Sequence, residues 1–345
     1  MSYQIGWDTL HLRMTERPAH IEYTIHYELM ERVAGVPKDH PDFDRRFREA
    51  WQMDLCWVTD DGEPPWKDRG RVTDMGHAVF LADGSDRRDT ISCPFRSVEE
   101  VLAFDAVKEY GLPNFGELVA YYENVHQAGR ARLPDVVVPG GYYKTVVSGA
   151  IEAFGWYRLL EAAAYPKEFD RVLEGIFQLS LHHYKAWAKT SIEFFICHDD
   201  MVWSQGAFMR PDFYRRSIFP RYRKLWSVLK EAGKKVLFCS DAQWTEFMDD
   251  VAAAGADGFI FEPMTSFEYA VEKFGKTHVI IGSKVDCRTL TFGSREQIRA
   301  EIDDSLRIAH RCPGWVFAVG NHIAPNVPVD NALFYFDYLS AQWKR

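Results

Sequence analysis

The sequence predicts an α/β fold, a single (β/α)8 TIM barrel that spans residues 1–345 and carries a hairpin-rich N-terminal insertion at 54–93. Two observations favour the barrel. After residue 135, short apolar segments alternate with amphipathic helical patterns, as in chains that build a parallel sheet. The apolar segments are continuous runs, which is typical of strands covered on both faces. Neither GxGxxG nor GxxxxGK[ST] opens a helix, so an open nucleotide-binding sheet lacks its phosphate-binding loop.

The first half of the chain is less regular and supplies three of the eight predicted strands. These strands are 21–26, a segment near 54–59, and 136–138. Residues 54–93 contain the sequences DDGEPP, DMGH and ADGSD, whose Gly, Pro and Asp residues favour tight turns. We therefore predict that this range is a polar, hairpin-rich decoration of the barrel.

The second half supplies five strands that alternate with helical patterns. The predicted strands are SIEFFICHDD, KKVLFCSD, ADGFIFEP, THVIIGSKVD and GWVFAVGNH. The predicted helices are PKEFDRVLEGIFQLSLHHYKAWAKT, RPDFYRRSIFPRYRKLWSVLKEAG, AQWTEFMDDVAAAG, TSFEYAVEKFG, SREQIRAEIDDSLRIAHRC and PVDNALFYFDYLSAQWK. Pro166 begins the first helix where its missing N–H is not needed, and Pro220 is expected to interrupt the second.

Charge and composition restrict the classes of partner. The net charge is −9 at pH 7, whereas nucleic-acid and anionic-membrane surfaces need clustered positive charge. No apolar window approaches the roughly 18 residues of a membrane-spanning helix, and no cationic segment followed by an apolar run opens the chain. Six cysteines lie without CxxC spacing, which predicts reduced thiols and a cytoplasmic protein. We therefore expect neither nucleic acid nor a membrane as partner.

Five successive strands of the second half end in ionisable or metal-binding residue types. The strand ends are 197–200 (CHDD), 239–241 (CSD), 261–263 (FEP), 284–287 (KVDC) and 320–322 (GNH). In a (β/α)8 barrel the carboxyl ends of the strands meet at one face, where the active sites of such enzymes lie. The sequence therefore predicts one polar pocket at the mouth of an otherwise apolar barrel.

Four of these residues form a candidate metal site: Cys239, Asp241, Glu262 and His322. Thiolate, carboxylate and imidazole are zinc ligands, and catalytic zinc sites leave one position for substrate. The structural alternatives are that Cys239 is a small buried apolar residue, that Asp241 caps the next helix and that His322 is a hydrogen-bonded core histidine. We predict one zinc ion, with Asp241 either a fourth ligand or a support for the other three.

Three further residues are candidates for catalysis: His198, Asp199 and Asp286. Each could orient the zinc ligands or donate a proton. Adjacent strand residues point apart, so only one of Asp199 and Asp200 is expected to line the pocket while the other caps a turn. The alternative for Asp286 is an ion pair with a neighbouring cation.

Four aromatic residues near strand ends are candidates for substrate binding: Tyr142, Tyr143, Trp203 and Trp244. Together they could form a flat cleft for an aromatic ring. Equally, they could pack as a lid on the rim of the barrel without contacting a ligand.

From about residue 140 to the end, the chain resembles the uroporphyrinogen decarboxylase superfamily. The matching segments are HDDMVWSQGAFMRPDFYRRSIFPRYRKLWSVLKEAGKKVLF, GSKVDCRTLTFGSREQIRAEI and GNHIAPNVPVDN, and SGAIEAFGWYRLLEAAAYPKEFDRVL is similar to the family's middle helices. The resemblance implies a (β/α)8 barrel. The superfamily contains the haem-pathway decarboxylase and many corrinoid-linked methyltransferases.

Particular residues favour the methyltransferase branch. The decarboxylase has an RQxGRY-like stretch near its N-terminus, which has no counterpart here, and Gly-His-Gly-Ile where this chain has Gly320–Ile323. Methyltransferases that act on coenzyme M bind zinc through His-x-Cys, where this chain has Cys239-x-Asp241. The resemblance therefore implies an O-demethylase type of enzyme, which moves a methyl group from a methoxylated, aromatic substrate to the cobalt of a corrinoid (cobalamin) carried by a partner protein, with zinc assisting.

Two other functions stay open from the sequence. One is decarboxylation of an acidic tetrapyrrole without a metal, which requires cationic groups in the pocket, although the strand ends here are mostly anionic or neutral. The other is a non-catalytic barrel that binds an aromatic ligand. The sequence also leaves open the identity of the methyl donor and whether the chain forms a homodimer.

Overall fold

Parallel strands form the wall of a (β/α) barrel in the computed structural model, which describes residues 1–62, 64–73, 79–80, 86–87 and 92–345. The strands are β1 (Ala19–His20), β2 (Val79–Phe80), β3 (Asp86–Arg87), β4 (Gly140–Tyr142), β5 (Phe194–His198), β6 (Lys235–Cys239), β7 (Gly258–Ile260), β8 (Val279–Ile281) and β9 (Trp315–Phe317). Seven of them pair in the order β1-β9-β8-β7-β6-β5-β4, all parallel. The α/β barrel class predicted from the sequence is thus confirmed.

The segment 54–60 occupies the remaining position in the wall, between β1 and β4. The Asp54 amide donates to the His20 carbonyl at 2.8 Å on one side, and the Cys56 amide donates to the Val137 carbonyl at 3.1 Å on the other. The Asp60 amide continues this contact to the Gly141 carbonyl at 3.0 Å. The first residues of the predicted insertion therefore belong to the wall, where a strand near 54–59 was expected. Strands β2 and β3, later in the same range, form a separate antiparallel pair.

Helices surround this wall and follow most of the strands. They are α1 (Tyr3–Leu10), α2 (Tyr27–Ala34), α3 (Phe43–Ala50), α4 (Val98–Leu102), α5 (Ala106–Tyr110), α6 (Phe115–Arg132), α7 (Val146–Ala163), α8 (Pro166–Ala188), α9 (Pro211–Phe213), α10 (Phe219–Glu231), α11 (Met248–Ala254), α12 (Phe267–Phe274), α13 (Cys287–Phe292), α14 (Arg295–Ala309) and α15 (Val329–Gln342). Among these helices, none combines the length and apolar character that crossing a bilayer requires.

Two sequence expectations differ locally from the structure. The strand predicted at 21–26 is shifted, because β1 lies earlier and the His26 imidazole instead accepts from the Leu29 amide at 3.3 Å and caps α2. The break expected at Pro220 is a π-helical turn at Tyr214–Ile218, after which Pro220 lies in the first turn of α10. The wider turn removes the need for the hydrogen bond that proline cannot donate.

Apolar side chains fill the interior of the barrel below its mouth. One residue or more from nearly every wall segment contributes to this cluster: Ala19, Ile21, Leu55, Val137, Phe194, Leu237, Val279, Ile281 and Val316. Leu10 of α1 joins them, with Trp7 and Ile5 packed alongside. The lower interior is therefore an apolar floor beneath the carboxyl ends of the strands.

A buried ion pair joins the N-terminal segment to the wall. The Arg17 guanidinium donates to both Asp54 carboxylate oxygens, at 2.6 and 2.9 Å, and the two side chains are 8% and 0% exposed.

Asp54→Ala leaves the buried guanidinium unpaired, so we expect it to lower the free energy of unfolding by about 3–5 kcal/mol. Urea unfolding measures this. Asp304→Ala, which removes an exposed pair with Arg307, is the matched control and should change the free energy by less than about 0.5 kcal/mol. Equal effects of the two variants would contradict the prediction.

Candidate functional site

A cavity of about 550 Å³ opens at the carboxyl ends of the strands. Its size lies in the range of about 300–1,000 Å³ that small-molecule pockets occupy. Its lower part is the apolar floor, and its upper part is lined by polar and aromatic residues. The upper lining consists of Tyr23, Trp57, Thr59, Tyr143, His198, Asp200, Cys239, Asp241, Glu262, Asn321 and His322. This is the polar pocket in an apolar barrel that the strand ends predict.

Three residues in this cavity bring together an imidazole, a thiol and a carboxylate. Ligand atoms of His198, Cys239 and Asp241 all lie within 4.8 Å of one another. The sheet register accounts for this, since His198 and Cys239 are paired as the last residues of the adjacent parallel strands β5 and β6. Asp241 follows two residues later, as expected for a loop that turns back over its own strand.

The His198–Cys239–Asp241 cluster fits a zinc ion. Nitrogen, sulfur and oxygen donors in one group are a zinc ligand set, and three protein ligands leave a fourth position for substrate. Tetrahedral zinc with ligand bonds of about 2.0–2.3 Å needs donor atoms roughly 3.3–3.8 Å apart. The observed donor atoms, all within 4.8 Å of one another, lie close to that spacing. Burial raises the pKa of the Cys239 thiol well above its usual value, and Asp241 and Asp200 raise it further, so a cation is the group that would stabilise the thiolate.

Asp200 holds the cluster in place. Its Oδ1 lies 3.1 Å from His198 Nε2 and accepts from the Asp241 amide at 3.1 Å, while its Oδ2 accepts from the Tyr143 hydroxyl at 2.9 Å. Burial alone would raise the pKa of Asp200, but the charge and hydrogen bond of His198, with the other donors, lower it to about 2. A carboxylate that is hydrogen-bonded to one imidazole nitrogen fixes the orientation of the ring, and the second nitrogen remains able to bind a metal.

The role of Asp200 was not predicted from the sequence, where Asp199 of the adjacent pair is the catalytic candidate. Asp199 is fully buried behind the wall, where it accepts from the Val147 and Ser148 amides at 3.1 and 2.5 Å and from the Tyr222 hydroxyl at 2.5 Å. It therefore anchors the start of α7. Burial raises the pKa of Asp199 to about 6 despite these donors.

Glu262 and His322 line the same cavity but lie outside the three-residue cluster. Glu262 accepts from the Ala242 amide at 2.8 Å and from Asn321 Nδ2 at 2.6 Å. Burial raises the pKa of Glu262 and lowers that of His322. The His322 Nδ1 is paired with the Asn321 side-chain oxygen. Both predicted ligands are thus held through Asn321.

Asn321 is a second site residue that was not predicted from the sequence. Its backbone has a φ of 66°, a left-handed conformation that asparagine tolerates better than most residues. Asn321 Nδ2 lies 3.4 Å from Asp241 Oδ2 and 2.6 Å from Glu262 Oε1, so it links two carboxylates of the cavity. The signal for it was available, since Asn321 stands at a strand end between a glycine and a predicted ligand.

Asp286 does not line the cavity. It caps α13, accepting from the Arg288 amide at 2.8 Å, and lies 3.4 Å from the Arg288 guanidinium. This is the ion pair that the sequence allows as the structural alternative to a catalytic role.

Of the four aromatic candidates, Tyr143 alone lines the cavity, with its ring 4.2 Å from the His198 ring. Tyr142 is buried on the opposite side of its strand and stacks on His183, because neighbouring strand residues face opposite ways. Trp244 is fully buried, with its ring N–H donating to the Ser240 carbonyl at 2.9 Å. Trp203 is 45% exposed and packs edge-on against Trp156 outside the cavity.

Besides Tyr143, the aromatic residues Tyr23, Trp57 and Phe261 line the cavity. Trp57 lies edge-on to the His198 ring with centroids 5.6 Å apart, and Tyr23 lies 5.9 Å from the His322 ring. The sequence holds part of a signal for Trp57: Leu55, Trp57 and Thr59 alternate along the wall segment and line the cavity, although Cys56 between them lines it as well.

Comparison with known proteins shows which family the chain matches. Residues 150–341, more than half of the chain, match the family described as uroporphyrinogen decarboxylase (URO-D). The curated uroporphyrinogen decarboxylase of Syntrophotalea carbinolica is 28% identical over 173 residues, which cover 50% of this chain and 48% of that protein. The one from Carboxydothermus hydrogenoformans is 26% identical over 170 residues, covering 49% and 46%. The chain thus spans about half the length of the curated relatives it matches.

A solved structure resembles the chain over nearly its whole length. It is described as a methyltransferase from Methanosarcina mazei, and it superposes with a TM-score of 0.64 over 98% of this chain and 97% of that one. The two sequences are 16% identical. At that identity the likeness establishes the shared fold.

Proposed function

The chain belongs to the uroporphyrinogen decarboxylase family, and we propose that it is a zinc-dependent methyltransferase within that family. The proposed reaction moves the methyl group of a methoxylated aromatic compound to the cobalt of a corrinoid carried by a partner protein in the cytoplasm. The observation that carries the proposal is the His198–Cys239–Asp241 cluster at the mouth of a closed apolar barrel.

The chemistry of the reaction explains why such a cluster is useful. The carbon–oxygen bond of the methyl ether breaks, the methyl carbon bonds to the reduced cobalt, and the released oxygen takes up a proton to give a phenol. Methyl ethers react slowly because phenoxide is a poor leaving group. Zinc, when bound by the cluster, supplies a Lewis acid for the oxygen that departs. Stabilisation that grows as charge develops accelerates the reaction rather than only binding the substrate.

The protein's own residues would position the substrate. The aromatic wall of Tyr23, Trp57 and Tyr143 offers flat surfaces for a ring, and the apolar floor excludes water from its far side. Tyr143 is fixed by its hydrogen bond to Asp200, so the same carboxylate orients both the His198 imidazole and one wall of the substrate site.

A protein partner would approach the cavity at its mouth. Tyr23 and Ile25 line the cavity and are 49% and 39% exposed, which gives an apolar rim. A corrinoid protein could dock on such a rim, since transient interfaces combine an apolar centre with few charges. A substrate methyl group held above the cluster would then face the incoming cobalt.

Decarboxylation of an acidic tetrapyrrole is the competing function, because the curated relatives carry that name. Carboxylate-rich substrates need cationic partners. Among the described residues, neither Lys nor Arg lines the cavity, whereas Asp200, Asp241 and Glu262 do. The lining therefore favours a neutral substrate and a bound cation.

Methyl transfer is tested by mixing zinc-loaded protein, a panel of methoxylated aromatics and a reduced corrinoid protein. The expected result is free phenol together with the absorption spectrum of methylated cobalt. A panel that gives no transfer with any corrinoid partner would remove the methyltransferase proposal. Release of carbon dioxide from uroporphyrinogen by zinc-free protein would favour the decarboxylase instead.

A further inference from the structure

A layer of apolar side chains lies between the polar mouth of the cavity and its floor. Ile196 precedes His198 by two residues on β5, and Ile260 at the end of β7 precedes Glu262 by two. Alternate residues of a strand face the same side and lie about 6.6 Å apart, so each isoleucine lies one such step below a polar residue of the site. Both isoleucines line the cavity, as does Ala318. We call these three residues the middle layer.

Ala318 is the smallest member of the middle layer. It directly follows β9 and faces the same side as Val316 of the floor, two residues earlier. In a (β/α)8 barrel, alternate strands supply the side chains of one layer, and bulky branched residues usually fill it. Here Ala318 and Ile260 stay partly exposed although both pack against the floor, whereas Leu237 and Ile281 of the floor are 1% and 3% exposed. The alanine therefore leaves unfilled space in the layer beneath the site.

The space beside Ala318 has an apolar character. The Ala318 carbonyl accepts from the Ser283 hydroxyl at 2.7 Å, and the Ile260 carbonyl accepts from the Ser240 amide at 3.3 Å, so both carbonyls already have a partner. A buried water needs two to four polar partners, whereas apolar cavities stay dry and bind apolar molecules. The space thus suits a hydrocarbon group, which would reach it from the site above because the floor residues are buried.

We propose that the substrate carries a short alkyl group on its ring, opposite the methoxy group, and that this alkyl group fills the space beside Ala318. The inference rests on the proposed function, in which the ether oxygen binds at the cluster and the methyl group faces the mouth. A ring held beside Tyr143 and Trp57 then directs its para substituent down the barrel. The single step of about 6.6 Å limits that substituent to a few carbons. Ala318 is thereby a residue that determines substrate specificity.

Alkylphenols, the products that such substrates would release, test this subsite through binding alone. Phenol, 4-methylphenol, 4-ethylphenol and 4-propylphenol are titrated calorimetrically into the protein in the presence of zinc. Burial of one methylene group raises affinity about fourfold, so the dissociation constant should fall about fourfold with each added carbon. In Ala318→Leu the larger side chain fills the space, and the dissociation constant of 4-propylphenol relative to that of phenol should rise about tenfold or more.

Two further variants make the test specific. Ala341→Leu makes the same substitution at an exposed position of α15, outside the cavity lining, and should keep the wild-type series within about twofold. Ile260→Val removes a methyl group from the middle layer and enlarges the space, so it should bind 4-butylphenol about fourfold more tightly than the wild type does. This milder substitution answers the question even if Ala318→Leu does not fold.

The outcomes separate the subsite from the reaction. Equal affinities across the phenol series, or the same series in Ala318→Leu as in Ala341→Leu, would overturn the subsite. A series that depends on the alkyl group and on residue 318, in a protein that transfers no methyl group, would support the subsite and remove the reaction. Methyl transfer from methoxybenzene together with equal phenol affinities would do the reverse.

Discussion

Purified protein is expected to hold one zinc ion per chain, and His198→Ala and Cys239→Ala are each expected to lose it. The three donor atoms lie within 4.8 Å of one another, so removing one leaves only two protein ligands. The other carboxylates of the lining, Asp200 and Glu262, lie outside this cluster and would not replace the lost ligand with the same geometry. We expect the affinity for zinc to fall by more than about 100-fold in either variant, which exceeds the usual effect of losing a residue that only supports a ligand. Metal analysis after dialysis measures the loss.

Two controls make this test specific. Cys56→Ala removes another buried thiol from the lining of the same cavity, and it should leave zinc content unchanged. His322→Ala distinguishes the cluster seen in the structure from the ligand set predicted from sequence, which contained Cys239, Glu262 and His322. Retention of zinc in His198→Ala together with its loss in His322→Ala would favour the sequence-derived set and contradict the cluster.

The rate of methyl transfer is expected to fall by about 10²–10⁴-fold in Asp241→Ala, since the variant removes a ligand of the zinc ion that stabilises the leaving oxygen.

Trp57→Ala should change KM rather than zinc content. It removes a flat surface beside His198, so we expect KM to rise about tenfold while zinc content stays at one per chain. Single-turnover formation of methylated cobalt, followed by its absorption, separates the two effects.

Trp244→Ala is the comparison for the aromatic wall. Trp244 is fully buried and bonded to the Ser240 carbonyl, so its loss should reduce stability rather than raise KM selectively. If Trp57→Ala leaves KM unchanged and Trp244→Ala raises it in a protein of unchanged stability, the substrate does not contact the wall that the structure shows.

The barrel could be predicted from the sequence because its signals are local. Continuous apolar strands and a proline that begins a helix each act over a few residues, and the structure shows α8 beginning at Pro166. The position of segment 54–60 in the wall was harder to predict, since it depends on hydrogen bonds to His20 and Val137, which are distant in sequence.

The site was predictable in position but less so in detail. Cys239 and Asp241 could be selected because they stand together at one strand end. His198 joins them only through the register of two parallel strands, which residue spacing does not reveal. Whether Asp199 or Asp200 faces the cavity depends on which side of the chain turns inward after β5. The same holds for Tyr142 and Tyr143, because a shift of one residue exchanges the side chain that faces the cavity with the one that faces away.

The wall segment 54–60 has a kinetic consequence. Its contacts to β1 and β4 are few, whereas β5 and β6 pair over five residues. Amide protons at Cys56 and Val137 should therefore exchange with solvent deuterium through local opening, at free energies well below those of global unfolding, while amides in β6 exchange only on global unfolding. Since Cys56 and Val137 also line the cavity, transient opening here would admit solvent to it through its side wall, and a ligand bound in the cavity should slow the exchange of both amides.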